Sequence, residues 1–266
     1  MFRFKNVSPE LFDLHCHVVP YVDDGAEDLE EAKKLITEEY CQGVRLIVAT
    51  VHLRCGMFDT SAQKVKKHFD ELKCWLSETE MNGLKMHISR EYYCDDRLET
   101  LLDAYAKGLD LVEFDDKCYS PKEEIIPFGS RRCILLEFSS LRYQKDKYGI
   151  FIKKAIQAGL TPIVAHIERY QDVQNDPQMV SEIKKDGAYI QINCDSLLGR
   201  DSKIICETAG ILMKDGYVDI VCSDSHDMND RIVNMKKCYS FVRKKYGAQA
   251  AKSVFCDNAK YLIGNY

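Results

Sequence analysis

The sequence contains no long apolar segment. The N-terminal residues, Met1-Phe2-Arg3-Phe4-Lys5-Asn6, are not followed by an uninterrupted hydrophobic stretch of the length that a signal peptide or a membrane-spanning helix requires. We therefore expect a cytoplasmic protein that does not insert into a membrane.

An excess of basic charge and closely paired cysteines are also missing. The chain has 37 Lys and Arg residues against 42 Asp and Glu residues, which gives a formal net charge of -5 at pH 7. General binders of nucleic acids or anionic membranes depend on clustered basic surface, so this charge argues against such partners. The twelve cysteines include no CxxC pair, which argues against a structural zinc finger. In a long chain without an export signal, we expect most of them to be reduced and buried.

No Pro/Gly/Ser-rich linker, internal repeat or low-complexity segment divides the chain. Its 266 residues, 45% of them hydrophobic, are enough to form one large core. We therefore predict a single domain over residues 1–266, a size that is common for single α/β barrels.

Short apolar segments alternate with amphipathic segments along the whole sequence. The segments predicted as strands are Leu11–Leu14, Arg45–Thr50, Lys85–Ser89, Arg132–Phe138, Thr161–Ala165, Ala188–Asn193 and Val218–Cys222. The segments predicted as helices are Glu27–Gln42, Ala62–Glu80, Asp96–Lys107, Tyr148–Ala158, Gln178–Lys185, Lys203–Lys214 and Asn229–Tyr246. Such alternation is typical of parallel strands joined by helical crossovers. We predict an α/β fold whose units close into a TIM-like barrel, with an open doubly wound sheet as the alternative.

Five of the seven histidines lie in short polar segments at the ends of predicted strands. These segments are Asp13-Leu14-His15-Cys16-His17, Thr50-Val51-His52, Ala165-His166-Ile167-Glu168-Arg169 and Ser223-Asp224-Ser225-His226. Because the C-terminal ends of parallel strands meet at one mouth of a barrel, we expect these side chains to lie close together. Imidazoles and carboxylates are common ligands of zinc, manganese and iron. The sequence therefore predicts a metal site at this mouth.

Two glutamates and two arginines extend this interpretation. Glu137 interrupts the apolar segment Cys133–Phe138, and a carboxylate in a buried segment is either paired with a cationic group or bound to a metal. We interpret Glu137 as a metal ligand, with ion pairing as the alternative. Glu91 is either a further ligand or the end of a strand. Ligands on so many strands indicate more than one ion, and paired ions suit phosphoryl transfer to water. Arg169 and Arg231 would then bind phosphate, with a solvated surface position as the alternative for each.

Taken in order, these motifs resemble a known family. The matching segments are Asp13–His17, Val22–Gly25, Gly43–His52, Gly56–Phe58, Arg90–Tyr93, Leu136–Phe138, Thr161–Tyr170 and Ser223–His226. Together they resemble the CpsB/CapC-type protein-tyrosine phosphatases of the PHP superfamily, bacterial enzymes associated with capsular and exopolysaccharide synthesis. The resemblance covers almost the whole chain and implies a distorted (β/α)7 barrel with a manganese-dependent centre of three ions.

The resemblance also implies a ligand set of five histidines and four carboxylates. The first ion would be held by His15, His17, Glu91 and Asp224, the second by Glu91, Glu137 and His166, and the third by Asp24, His52 and His226. Asp23 is the alternative to Asp24 as a ligand. Iron or zinc is the alternative to manganese as the bound ion. In the implied mechanism Arg169 and Arg231 hold the phosphate, Asp224 and His226 act at the reacting centre, and a metal-bound hydroxide attacks phosphorus in line.

The substrate implied by the resemblance is phosphotyrosine on the tail of a partner bacterial tyrosine kinase. Arg54, in the loop after His52, would help to attract such an acidic peptide. The chain departs from the family pattern in an N-terminal extension over residues 1–10, in Cys55 and in Arg90, and these differences bear on substrate preference. Two alternatives stay open: a PHP phosphoesterase that acts on a small phosphomonoester such as histidinol phosphate, and a non-catalytic metal-binding regulator of the kinase.

Two other segments invite different interpretations. Cys194 and Arg200 have the C-x5-R spacing of cysteine-dependent phosphatases, in which a thiolate attacks phosphorus. We interpret the spacing as chance, because Asn193 rather than histidine precedes the cysteine and the single glycine of the loop is poorly placed. We interpret the acidic segment 110–124 as a solvated loop, with self-association into a homo-oligomer as the alternative.

Overall fold

The computed structural model describes residues 10–264. Of the predicted N-terminal extension, residues 1–9 lie outside the described residues. Within the described part of the chain, no helix is both long and apolar enough to cross a membrane. All twelve cysteines are free thiols, and seven of them are buried.

Nine strands in the described part of the chain form two sheets. In chain order the strands are β1 (Leu11–Cys16), β2 (Val44–Leu53), β3 (Lys85–Tyr93), β4 (Val112–Phe114), β5 (Lys117–Tyr119), β6 (Cys133–Glu137), β7 (Thr161–Val164), β8 (Tyr189–Asn193) and β9 (Ile220–Cys222). Seven of them pair in parallel in the order β1-β2-β3-β6-β7-β8-β9, and β4 and β5 form a separate antiparallel hairpin. All seven predicted strands are confirmed, with ends that shift by a few residues.

Backbone hydrogen bonds join the two edges of the larger sheet. The Asp224 N–H donates to the His15 carbonyl at 2.9 Å, and the His17 N–H donates to the Ser225 carbonyl at 2.8 Å. The last strand is thereby connected to the first, and the sheet closes almost completely into a barrel. The predicted barrel is confirmed, and the open doubly wound sheet is wrong.

Helices cover the outside of the barrel. They are α1 (Leu29–Cys41), α2 (Ala62–Ser77), α3 (Asp96–Ala106), α4 (Pro121–Glu124), α5 (Lys145–Gln157), α6 (Gln171–Asn175), α7 (Val180–Lys185), α8 (Cys194–Leu198), α9 (Lys203–Lys214), α10 (Met235–Tyr246), α11 (Ala248–Lys252) and α12 (Asn258–Ile263). The start of α1 shows why the sequence folds this way: the Asp28 side chain accepts the Glu31 N–H as an N-cap, and Leu35 and Ile36 face the core.

One face of each barrel strand points to the interior, and this face changes from apolar to polar along the strand. The apolar cluster inside the barrel contains Phe12, Leu14, Leu46, Val48, Leu135, Ile163, Ile220 and Cys222, and α12 closes it at the N-terminal end of the strands. Because side chains alternate in a strand, the face that carries Val48 also carries His52. The same alternation leads from Leu135 to Glu137 and from Cys222 to Asp224.

The acidic segment 110–124 is not the loop that we predicted. It contains the β4–β5 hairpin, in which Val112 and Phe114 are half-buried, and the short helix α4. Asp115 and Asp116 join the two strands with φ angles of 49° and 57°. Such left-handed pairs are typical of tight hairpin turns, and aspartate adopts them more readily than most residues.

The helix predicted over Asn229–Tyr246 begins later, at Met235. The Asp227 side chain accepts the backbone N–H groups of Asn229 and Asp230, both at 2.6 Å, and that of Arg231 at 3.3 Å. These bonds hold the backbone in a turn. Arg231 therefore lies in a loop at the barrel mouth rather than on a helix.

Candidate metal centre

The nine side chains predicted as metal ligands lie together at the C-terminal mouth of the barrel. Seven of them are buried: His15, His17, His52, Glu91, His166, Asp224 and His226. Glu137 is half-buried, and the Asp24 side chain is 49% exposed at the solvent side of the centre. The centre is therefore deep in the mouth but reachable from solvent.

Irregular backbone directs several of these side chains inward. The pairing of β1 with β2 shifts register between Asp13 and Cys16, which turns His15 and His17 toward the interior that Phe12 and Leu14 face before the shift. His166 and Asp224 have φ angles of 29° and 52°. A left-handed conformation costs a non-glycine residue about 1–3 kcal/mol and is typical of functional sites.

Glu91 is the central carboxylate of the cluster. Its Oε2 lies 3.1 Å from His15 Nε2, 3.2 Å from His17 Nε2 and 3.2 Å from His52 Nδ1. Its Oε1 lies 2.7 Å from His166 Nε2. One carboxylate that faces four imidazoles is placed as a bridging ligand would be.

Four groups of side chains have possible ligand atoms within 4.8 Å of one another. They are His17, Asp24, His52 and His226; His15, Glu91 and His166; His15, His17 and Asp224; and His52, Glu91 and Glu137. The predicted third set of Asp24, His52 and His226 falls within one group, and the predicted first set lacks only Glu91. The predicted second set is divided, because Glu137 groups with His52 while His166 groups with His15.

Unpartnered polar atoms indicate that cations belong in this cluster. The buried atoms Glu137 Oε2, His166 Nδ1 and His226 Nε2 have no hydrogen-bond partner among residues 10–264, and His52 Nδ1 and Asp224 Oδ1 lie near other ligand atoms without a hydrogen bond of suitable geometry. A buried polar atom without a partner costs about 1–3 kcal/mol, and more when it is charged. Imidazole nitrogens and carboxylate oxygens are the donors that divalent manganese, iron and zinc accept, so the residues present fit such ions.

The charges of the buried carboxylates also indicate that cations belong in this cluster. Burial opposes ionisation of Glu91, yet His15, His52 and His166 hold the pKa of this carboxyl well below its usual range. Burial and the nearby charge of Glu91 raise the pKa of Glu137 well above its usual range. Two carboxylates so close together need added positive charge if both are to be ionised.

The structure separates the two neighbouring aspartates. Asp24 Oδ1 lies 3.4 Å from His52 Nε2 and 3.7 Å from His226 Nε2, within the cluster. Asp23 Oδ2 instead lies 3.1 Å from His17 Nδ1 and accepts the His52 backbone N–H at 2.9 Å. Asp24 therefore belongs to the cluster, and Asp23 contacts the His17 imidazole from outside it.

The two predicted phosphate-binding arginines converge on one carboxylate. Arg231 Nη2 donates to Asp224 Oδ2 at 2.7 Å, and Arg169 Nη1 donates to the same oxygen at 3.4 Å. Burial would lower the pKa of Arg169, but Asp224, Asp201 and Glu168 raise it, so the guanidinium stays charged. Both cations thus lie at the edge of the ligand cluster, where an anion could reach them.

The loop after β2 forms another part of the mouth. The Arg54 guanidinium lies 4.1 Å from the centre of the Tyr93 ring, and the Phe58 ring stacks on His52 at 4.9 Å. Arg54 also counteracts part of the rise in the pKa of Glu137. A cation and an aromatic ring therefore border the centre on this side.

Cys194 is not placed as a nucleophile. It is buried at the start of α8, where its Sγ contacts Met235 Sδ at 3.6 Å, and burial raises the pKa of this thiol well above its usual range. Arg200 contacts Asp195 and the Asp230 carbonyl instead. Neither a thiolate nor a phosphate-binding loop is available there.

One functional candidate, Gln191, was missed in the sequence. Its Oε1 lies 3.1 Å from His15 Nδ1, inside the cluster. The available signal was the alternation Ile190-Gln191-Ile192-Asn193, which puts two amides on the inner face of a barrel strand. An amide in a strand carries no metal signature, so this alternation alone did not distinguish a site from ordinary packing.

Comparison with known proteins supports one family. The sequence matches the family model for capsular polysaccharide synthesis, CpsB/CapC, over residues 11–264. Tyrosine-protein phosphatase CpsB of Streptococcus pneumoniae is 33% identical over 259 residues, which are 95% of this chain and 98% of that protein. Tyrosine-protein phosphatase YwqE of Bacillus subtilis (strain 168) is 24% identical over 255 residues, 96% of this chain and 92% of that protein.

Solved structures support the fold. A chain from the crystal structures of YwqE from Bacillus subtilis and CpsB from Streptococcus pneumoniae, described as unique metal-dependent tyrosine phosphatases, superposes with a TM-score of 0.77 at 23% identity. The match covers 95% of this chain and 94% of that one. The distorted (β/α)7 barrel is shared.

Proposed function

The chain belongs to the CpsB/CapC family, and from this membership we propose that it is a metal-dependent protein-tyrosine phosphatase. The observation that supports the proposal most is the cluster of five histidines and four carboxylates around Glu91. The relative with 33% identity over almost its full length is named as a tyrosine-protein phosphatase. Residues 11–264, which match the family and build the barrel, would form one catalytic domain.

We propose that the nine side chains hold three divalent ions. We assign His15, His17, Glu91 and Asp224 to the first ion, Glu91, Glu137 and His166 to the second, and Asp24, His52 and His226 to the third. Manganese is the proposed ion, and iron and zinc accept much the same ligands. When bound, such ions supply water of lowered pKa and compensate the negative charge of phosphoryl oxygens.

Arg169 and Arg231 bind the phosphoryl group in this proposal. Both are already held at the mouth through Asp224, and Arg169 Nε is a buried donor without a partner in the described part of the chain. Guanidinium groups donate two parallel hydrogen bonds to phosphate oxygens. These residues would therefore orient the phosphorus over the ligand cluster and stabilise the charge that develops on its oxygens.

The open mouth of the barrel fits a protein substrate better than a small molecule that binds in an enclosed pocket. Asp24 is half-exposed, and large apolar side chains on neighbouring loops are open to solvent, with Met57 59%, Leu141 82% and Tyr143 67% exposed. An enclosed polar pocket would suit histidinol phosphate, whereas an open rim with Arg54 suits an acidic phosphotyrosyl peptide. We propose as substrate the cytoplasmic tail of a bacterial tyrosine kinase that controls capsule synthesis.

Hydrolysis of a phosphotyrosyl peptide by manganese-loaded protein tests the proposal. We expect turnover that a chelator abolishes and manganese restores, and Cys194→Ser should retain it. Histidinol phosphate and a phosphoseryl peptide serve as competing substrates. Preference for histidinol phosphate would contradict the substrate, and peptide binding without turnover would indicate a regulator. If Cys194→Ser lost turnover and a chelator had no effect on the manganese-loaded protein, the metal mechanism would be contradicted.

A further inference from the structure

Strand β8 supplies none of the nine predicted ligands, yet two of its side chains lie inside the centre. Gln191 and Asn193 are each 1% exposed. Gln191 Oε1 lies 3.1 Å from His15 Nδ1 and accepts the His166 backbone N–H at 2.7 Å. Gln191 Nε2 donates to Asn193 Oδ1 at 2.8 Å, and Asn193 Nδ2 donates to Asp224 Oδ2 at 2.6 Å. A chain of hydrogen bonds therefore connects three of the predicted ligands.

The two ends of this chain fix the direction of every bond. The His166 backbone N–H can only donate, so the Gln191 atom that faces it must be the carbonyl oxygen. This oxygen cannot donate, so the neighbouring His15 Nδ1 must carry the proton. At the other end the Asp224 carboxylate can only accept, so Asn193 turns its NH2 toward it and its oxygen toward Gln191. The directions of all these hydrogen bonds are mutually consistent, and the orientation of every group in the chain of bonds is determined.

We propose that Gln191, together with Asn193, is a positioning residue of the metal centre, which keeps His15 protonated at Nδ1 and leaves His15 Nε2 as the ligand atom. A neutral imidazole carries its proton on either nitrogen, and the hydrogen bond at one nitrogen decides which remains free for a metal. His15 Nε2 faces Glu91 Oε2 at 3.1 Å and Asp224 Oδ1 at 3.3 Å. The inference rests on the proposed metal-dependent function.

Gln191 and Asn193 also hold the other two predicted ligands that they contact, His166 and Asp224. The backbone N–H that Gln191 accepts belongs to His166, whose φ of 29° is left-handed and needs support from its surroundings. Asn193 occupies Oδ2 of Asp224, while Oδ1 of that carboxylate has no hydrogen bond from any residue between 10 and 264. The free oxygen is the one that faces His15 and is available to an ion.

Nitrogen NMR of the zinc-loaded protein tests the proposal directly. Zinc is a diamagnetic probe ion, and ¹⁵N-labelled histidine shows which ring nitrogen carries a proton; His15→Asn identifies the His15 signals. We expect His15 protonated at Nδ1 in the wild-type protein. Gln191→Met keeps the volume but removes the acceptor, so we expect a changed His15 tautomer and zinc affinity lower by about 10- to 100-fold in chelator competition.

Two further variants separate positioning from packing. Gln191→Glu retains an acceptor for His15 and His166, so it should restore the Nδ1-protonated tautomer even though the donor to Asn193 is lost. Gln249→Met changes an exposed glutamine on α11 and should leave tautomer and affinity unchanged. A thermal unfolding curve shows which variants fold.

The inference would be overturned by a wild-type His15 protonated at Nε2, a result that needs no variant. It would also be overturned if Gln191→Met kept both the tautomer and the zinc affinity. Because no turnover is measured, an inactive enzyme leaves these outcomes interpretable, and the proposed function can fail separately. A wild-type protein that does not bind zinc would contradict both the metal centre and the role of Gln191.

Discussion

Gly25 is a position where one added methyl group should disable the metal centre without removing a ligand. A Cβ built on this residue would lie 2.2 Å from the His17 carbonyl oxygen and 2.6 Å from His17 Cβ, whereas ordinary contacts begin at 3.4 Å. The obstacle is backbone, which cannot rotate away. Gly25→Ala therefore requires the loop of Asp23 and Asp24 to move by about 1 Å away from β1.

Such a movement acts on two contacts of the centre. Asp24 Oδ1 lies 3.4 Å from His52 Nε2, and Asp23 Oδ2 lies 3.1 Å from His17 Nδ1. A misplacement of about 1 Å in a catalytic arrangement costs about 100-fold in rate. We expect a loss of about this size in kcat/KM for a phosphotyrosyl peptide, with reduced metal content, and overpacking should lower the free energy of unfolding by about 1–3 kcal/mol.

The assay combines peptide hydrolysis at saturating manganese with metal analysis of the purified protein and a thermal unfolding curve. Gly210→Ala is the matched control, because Gly210 lies within α9 and its Cβ would be 3.8 Å from Oη of Tyr246 on α10, which is an ordinary contact. It should keep wild-type kinetics and gain up to about 1 kcal/mol of stability from helix propensity. Wild-type kcat/KM and metal content in Gly25→Ala would refute the placement of Asp24 in the centre.

Three more predictions concern the arginines and the hairpin. Arg231→Lys loses the planar pair of donors, so kcat/KM for the peptide should fall about 10- to 100-fold at unchanged metal content; equal kinetics would contradict phosphate binding by Arg231. Arg54→Ala should raise KM for an acidic phosphopeptide and reduce its salt dependence but leave p-nitrophenyl phosphate kinetics unchanged, and equal effects on both substrates would contradict peptide recognition. Burial would raise the pKa of Asp59, but Lys117 and Arg97 lower it overall. Its ionised form therefore stabilises the fold above the unfolded pKa of about 4, and this contribution disappears as pH falls through the lower folded pKa. Urea unfolding between pH 3 and 6 should show a weaker pH dependence in Asp59→Asn; an identical pH profile would exclude this contribution.

The barrel and most of the candidate centre were predictable from the sequence because both depend on strand alternation. Polar residues such as His52, Glu137 and Asp224 stand out against apolar strands, and parallel strands bring their C-terminal ends together. No knowledge of loop geometry is needed for that step. The predicted ligands are accordingly all found at one mouth.

Details that depend on loops were not predictable in the same way. Asp23 and Asp24 are chemically identical neighbours, and which of them faces the cluster depends on the path of their loop, in which Gly25 approaches His17 closely. The helix that was expected from Asn229 begins later because a single carboxylate, Asp227, binds three backbone N–H groups. Such local bonds compete with helix formation, and composition does not show which will prevail.

The absence of a proposed ligand on β8 has a physical reason in the charge of the centre. Four carboxylates already contribute to the cluster, and two of them, Glu91 and Glu137, raise each other's cost of ionisation. A fifth carboxylate at Gln191 could accept from His15 but could not also donate toward Asn193. An amide does both without adding charge, so a neutral strand can orient the imidazoles and carboxylates on its neighbours. The strand without proposed ligands is therefore the one suited to orient the proposed ligands on its neighbours.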